Sequence, residues 1–447
     1  MKFSTLTGVS AMLALSAAIT LPPRAHAQNF PNNYRVVNLG NLSGTVSAGN
    51  TLNNIGWSMG SADLAGDTVE HATVWIYGLR FDLGTLGGPN SDIAWPVKNN
   101  HGLVAGFSET ATKDPLGESW SCTNFEPTFP VPTGNDCVGF FWQWGVMTQL
   151  PTLGGNNGFA TGVNNLGQIV GWAETTVHDT TCVYPQVLQF EPVVYGPAPG
   201  QIHRLPNFPG DPDGAATAIN DSSEAVGISG TCDTSVGAFS AKHALLWKNG
   251  VLAADLGNLG GQGWNTPMAI NQRGDVVGFS DLAGDVVDGV LTPNFHAFIW
   301  TKETGKMTDI GVLAGDSISE ALDINDAGQV VGVSFPSSHA FLYEHGKITD
   351  LNSLISKNSP FLLLEASGIN DAGEITGQAC IIADGGCPES INTPAYLAIP
   401  AGWGDASSAS QSTNDTAASI TVPENIRQQL MRRAGFGHIG SEPVKAQ

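Results

Sequence analysis

Carboxylates, aromatics, histidines and cysteines are the side chains of this 447-residue chain that could do chemistry. Asp211-Pro212-Asp213-Gly214, Asp316 with Glu320, and the twin Asp-Leu-Ala-Gly-Asp segments at Asp63 to Asp67 and Asp281 to Asp285 offer the hard oxygen ligands that calcium takes. None of them matches an EF-hand loop, so solvated turns are the competing reading, and no cofactor beyond that possible calcium is expected. Trp264 with Asn265 could stack on a ligand and hydrogen-bond to it. Gly56-Trp57-Ser58-Met59-Gly60 fits the Gly-x-Ser-x-Gly elbow of hydrolases. That motif needs a strand-turn-helix context, whereas here both glycines belong to a repeat. Neither His-Glu-x-x-His nor a phosphate-binding Gly-rich loop with Lys is present. His71, His243, His296 and His339 stand at equivalent positions of different repeats, so they point outward around a ring. They cannot converge on one ion at the ~2.0–2.1 Å that zinc requires. A hydrogen bond that orients its strand is the expected role of each.

The elements that hold these residues are set by the motif Asn-x-x-Gly-x-x-x-Gly. Its asparagines are Asn53, Asn99, Asn164, Asn220, Asn271, Asn325 and Asn370, at spacings of 46, 65, 56, 51, 54 and 45 residues, which is a propeller or solenoid period. In the clearest copy, Ala321 to Asn325 and Gln329 to Gly332 flank Asp326-Ala327-Gly328. Asn and Asp favour turns, and Gly328 supplies a positive φ, so the segment reads as a hairpin. Ser223 replaces the first glycine in the fourth copy, which predicts a slightly altered turn there. His339 to Tyr343 and Lys347 to Leu351 add two more strands. Four short strands in about 50 residues, with no helical period, make a propeller blade.

Seven units predict an all-β, seven-bladed propeller of four-stranded blades over 34–400. Tyr34 to Gly40 reads as a fourth strand with no first three, and Pro394 to Ala398 as a third strand with no fourth. Joined, they complete the seventh blade and remove a free sheet edge. The third unit is degenerate over Val187 to Gln201, which leaves a local embellishment or a six-plus-one arrangement as alternatives. Trp75, Trp142, Trp247 and Trp300 share one register and are expected in the core between blades.

If the Asn-led strand is innermost, the loops joining strands four and one share a face with those joining strands two and three. That face collects nearly all the length variation: Leu83 to Trp95, Leu205 to Thr217, Leu256 to Met268, Ile310 to Leu322 and the insertion Ser108 to Cys137. Variable loops on a rigid scaffold are where binding resides. The expected ligand-binding residues there are Asp211, Asp213, Trp264, Asn265, Asp316 and Glu320; no catalytic residue is assigned. All six cysteines lie in loops between strands two and three, so Cys122 is expected to pair with Cys137, Cys380 with Cys387, and Cys182 with Cys232 across adjacent blades.

The N-terminus reads as a signal peptide, 1–27, from Lys2, the apolar Val9 to Leu21 and the Ala25-His26-Ala27 cleavage site. That reading places the protein outside the cytoplasm, in the periplasm or the medium, with no transmembrane segment. From Gln28 to Ile420 there are 38 Asp and Glu against 12 Lys and Arg, a formal charge of −26. Such a body repels nucleic acid and anionic lipid. Residues 401–421 read as a flexible linker, and 422–447 as a tail with a short basic helix from Glu424 to Ala434. Ile426, Leu430 and Met431 line one side of it, for docking on the propeller or on a partner, while an isolated helix this short is marginal in water.

The chain resembles the HAF-repeat family of extracellular proteins, through His296-Ala297-Phe298 and His339-Ala340-Phe341, the Leu-Gly-x-Leu-Gly-Gly segments at Leu83 to Gly88 and Leu256 to Gly261, and Ile-Asn-Asp-Ala-Gly at Ile324 to Gly328 and Ile369 to Gly373. The resemblance covers nearly all of Tyr34 to Pro400 and implies an exported propeller-like protein, with no activity or catalytic residues to carry over. Two functions stay open. One is a non-catalytic binding or structural propeller that recognises carbohydrate or an extracellular protein. The other is an extracellular polysaccharide lyase or glycosidase, whose site would break the pseudo-symmetry with a paired carboxylate.

Overall fold

Each repeat folds as the hairpin pattern requires, and seven such sheets close into a ring. The computed structural model describes residues 34–401 and 422–433, apart from 119–121, 123–132, 183–185, 199, 233–240, 288–289, 292–293, 384–385 and 389–391. The expected signal peptide, nearly all of the linker and the end of the tail lie outside the described residues. The blades span 47–82, 87–149, 158–204, 213–255, 260–311, 318–350 and 361–400, and each is a four-stranded antiparallel sheet in chain order. The seventh takes its outer strand from Tyr34–Asn38, paired with Ala395–Pro400 from Tyr34↔Pro400 to Asn38↔Tyr396. The degenerate third unit is a full blade with long second and third strands, Ile169–His178 and Leu188–Tyr195. The first strand of each blade is innermost and in most blades almost wholly buried, whereas outer strands such as Leu79–Asp82 are exposed.

The repeated asparagines tie the innermost strands to one another. Each Nδ2 donates to the main-chain carbonyl of the next asparagine: Asn53 to Asn99, then Asn164, Asn220, Asn271, Asn325 and Asn370, and from Asn370 back to Asn53, at 2.8–3.3 Å. Each Oδ1 accepts two N–H groups of its own turn, as in Asn325 with Ala327 and Gln329. Aspartate could accept but not donate, so only the carboxamide does both jobs. The following residue forms a second closed ring, in which the N–H groups of Asn54, Asn100, Asn165, Asp221, Gln272, Asp326 and Asp371 each donate to the side-chain oxygen of the next at 2.7–2.9 Å.

The two glycines of the motif serve different needs. The first has positive φ, 76–87° in the six glycine turns. Ser223 adopts φ 53° in the fourth turn, outside the glycine range, yet keeps the turn's hydrogen bonds, with Oγ held by Gln168, so the alteration is confined to a small change in backbone angle. The second glycine is a matter of space. A Cβ on Gly60, Gly106, Gly171, Gly227, Gly278, Gly332 or Gly377 would lie 1.8–2.1 Å from a carbonyl oxygen of the innermost strand. In most blades that strand carries a bulge just beyond this contact, which bends it toward its partner.

The shared-register tryptophans are core or nearly so. Trp75, Trp247 and Trp300 are buried and Trp142 is half-buried, while the indoles of Trp75 and Trp247 donate to the carbonyls of Gly40 and Pro206. All three expected disulfides are present, Cys122–Cys137, Cys182–Cys232 and Cys380–Cys387. The histidines hold strands, as expected: Nδ1 of His71, His296 and His339 meets Asp82, Asp309 and Asp350 of the outer strand at 2.8–2.9 Å. His243 instead meets Asp211 at 2.8 Å and stacks on Phe208.

Asn325→Ala leaves the buried carbonyl of Asn370 without its donor and should cost roughly 1–3 kcal/mol in urea unfolding. Asn325→Asp, although isosteric, should cost no less, because it sets a carboxylate against that carbonyl; parental stability in this variant would refute the ring. Gly332→Ala drives a methyl group into the Glu320 carbonyl at 1.8 Å and should cost at least the roughly 1–3 kcal/mol of core overpacking.

Candidate functional site

One end of the ring repeats its turns from blade to blade far more closely than the other. The asparagine turns close one end. The opposite end carries the loops of variable length, the three disulfides and a single apolar cluster built by blades 2 to 7, with Trp95, Phe159, Trp264, Phe335, Leu362 and Leu364 among its members. The helix α1 (Glu424–Arg433) contributes to the same cluster. Its Ile426 and Leu430 are 1% and 0% exposed, four residues apart on one helical face.

The six residues expected to bind ligand do not gather at one point on this end. Asp211 accepts the His243 hydrogen bond and another from Ser229, fixing its loop. Asp213 opens the innermost strand of blade 4, is buried, and accepts the N–H of Phe190 from blade 3. Trp264 is buried against Phe295, with ring centroids 5.3 Å apart. Asn265 is buried too; its Nδ2 donates to the Lys242 carbonyl and its Oδ1 accepts from Ser280. Asp316 ties its loop to the next turn of the same blade by accepting the N–H and Oγ–H of Ser337. Glu320 is fully buried, and neither of its carboxylate oxygens has a hydrogen-bond partner among the described residues.

Sequence reasoning missed several groups of equal interest. Glu365 occupies the register of Glu320 on the next blade, Glu365↔Gln378 beside Glu320↔Val333. Lys98, in blade 2, reaches past blade 1 to Asp323 of blade 6 and the carbonyls of Ile369 and Leu52. Its signal was visible, because the other copies have Leu52, Val163, Ile219, Ile270, Ile324 or Ile369 before the asparagine. A cation among six apolar counterparts has to find an anion, and Asp323 is the acid at the neighbouring register.

Buried acids set the electrostatics of the variable end. Burial raises Asp213 to about 9, helped by the neighbouring carboxyl of Asp179. Burial and Asp285 raise Asp281 to about 8. Glu174 is raised by burial and then by Glu118, although the N–H groups of Asn156 and Asn157 and the amide of Gln186 hydrogen-bond to it. Burial lifts Glu320 well above the carboxylate range, and Glu365 adds to the effect. Among the described residues no group of three or more His, Cys, Asp or Glu side chains is placed to hold a metal. No helix there is long and apolar enough to cross a membrane.

These raised acids fix a pH dependence. Each binds its proton more tightly in the folded chain, so its contribution to stability is complete below the unfolded value near 4 and is lost as pH rises through the folded value. For Asp213 and Asp281 that window runs from about pH 4 to 8–9. The loss is on the order of 1 kcal/mol per group per pH unit within it. Thermal unfolding should therefore occur at higher temperature at pH 5.5 than at pH 8.5. A melting temperature that rises across that range would contradict the assignment.

A family model described as a protein of unknown function (DUF3466) matches residues 213–387, from blade 4 into the disulfide loop of blade 7. No curated protein matches the chain. Among solved structures, the acylaminoacyl peptidase of Pyrococcus horikoshii aligns with a TM-score of 0.43 and 10% identity over 79% of this chain and 51% of that one. A gluconolactonase of Xanthomonas campestris aligns with a TM-score of 0.29 and 12% identity over 59% of this chain and 78% of that one. The chain thus spans about half the length of the peptidase it matches. The seven-bladed architecture rests on the strand pairing described above, and it fits a binding or structural role.

Proposed function

We propose that this is an exported, non-catalytic binding propeller of the HAF-repeat kind, which recognises carbohydrate or an extracellular protein through its variable face. The observation that carries this reading is the division of labour between the two ends. Hydrogen bonds repeat identically around the asparagine end. The disulfides, the apolar cluster and most of the variation in loop length belong to the other. A scaffold that concentrates its variation at one end presents that end to something. The acidic body favours neutral or basic glycans over anionic ones, since like charge repels within a Debye length.

A second reading, an extracellular lyase or glycosidase, draws on the Glu320 and Glu365 carboxyls, which break the pseudo-symmetry at one register. Thermal unfolding against a panel of neutral, basic and anionic glycans separates the two, run beside an assay for newly released sugar ends. Binding predicts a rise in melting temperature with a neutral or basic glycan and no released ends. Released ends that vanish in Glu320→Gln would establish the enzyme instead, and no shift with any glycan would leave a protein partner as the occupant.

A further inference from the structure

The buried acids of this protein differ in how their charge is met. Glu174 takes main-chain and amide donors, Glu224 takes Lys248 and Lys302, and Asp323 takes Lys98 and two N–H groups. Glu320 takes nothing, although no part of it reaches solvent. An ionised carboxylate left so is among the costliest groups a core can hold. Its counterparts on the neighbouring innermost strands carry oxygen. At the same register on three consecutive innermost strands stand Thr266, Glu320 and Glu365, each paired with the equivalent residue of its second strand, Phe279, Val333 and Gln378. The hydroxyl of Thr266 is buried and without a partner, and the hydroxyl of Ser367 donates to Glu365. Burial first, and then the carboxyl of Glu365, holds Glu320 above the ordinary carboxylate range.

We propose that Glu320 and Glu365, with the hydroxyl oxygens of Thr266 and Ser367, form a calcium site between blades 5, 6 and 7, a binding site separate from the ligand face proposed above. The donors are all hard oxygens, and two carboxylates cancel the charge of a divalent ion. Calcium fits better than magnesium because magnesium dehydrates reluctantly and keeps several waters, whereas this site is enclosed. The ion supplies Glu320 with the positive partner that the polypeptide does not, and it crosslinks three blades at the end of the ring where no asparagine ring operates.

The test uses the whole purified protein, stripped with EDTA and titrated with calcium, magnesium or sodium at pH 7.5, followed by calorimetry and thermal unfolding. Wild type should bind one calcium ion per chain and melt several degrees higher, with magnesium and sodium far less effective. Glu320→Gln should weaken calcium binding at least tenfold, and Asp281→Asn, at another acid pair, should leave it intact. Gln is neutral and close in size to the buried acid it replaces, so the metal-free melting temperature of Glu320→Gln should stay near the parental value, and a lost response cannot be ascribed to failed folding. No calcium heat or shift in wild type, or an unchanged response in Glu320→Gln, overturns the site. So does an infrared band of a protonated carboxyl at pH 7.5 that calcium leaves in place and Glu320→Gln removes, because a proton would then hold the position assigned to the ion.

Discussion

Everything in this ring depends on a primary amide that can accept and donate at once. An asparagine oxygen shapes its own turn, and its nitrogen reaches the carbonyl of the next blade. Because that carbonyl belongs to the next asparagine, the orientation of each turn is set by its neighbour all the way round. The peptide groups at the axis would otherwise be buried acceptors with no strand beside them, a few kcal/mol of unmet polarity each at most, summed over seven blades. Closing the chain of bonds on itself leaves no first or last member, and the second ring one residue along repeats the arrangement with the main chain as donor.

The rest of the blade follows outward from this rim. The bulge in most innermost strands and the glycine that meets it repeat because the rim repeats, and in three blades a histidine pins the outer strand. The places that do not repeat are informative for the same reason. Lys98 and Asp323 put a charged brace where the other copies have apolar or small residues. Glu320 and Glu365 put acid where Ala48 and Ala215 stand in blades 1 and 4. The scaffold tolerates these departures because its own bonding does not pass through them.

The architecture was legible in the sequence because its signals are local and recur: a turn residue, a glycine four residues on, an apolar alternation. The disulfides were legible too, since two loops hold a pair of cysteines each and the remaining two cysteines fall in adjacent blades. The candidate site was much less so. Trp264 and Asn265 look like surface residues in a variable loop, yet the innermost strand of blade 5 runs longer than its counterparts and takes both inside. Asp211 and Asp213 sit two apart and serve different blades. Burial and cross-blade proximity link residues 45 to 65 positions apart, or 317 in the case of Asn370 and Asn53, and no pattern within one repeat reports them.

The strand Tyr34–Asn38 also sets the order of events when the chain folds. It is among the first segments of the propeller to be synthesised, and its partner Ala395–Pro400 is the last of the blade strands. Six blades can form from contiguous sequence as they emerge, but the seventh waits for the two extremities of the domain to meet. Contacts of such long sequence separation are slow to find. Until then blades 1 and 7 flank an open seam, so the rim hydrogen bonds from Asn370 to Asn53 and from Asp371 to Asn54 are absent together. The molecule is therefore a clasp: a series of locally assembled units whose rigidity arrives all at once, with its final strand.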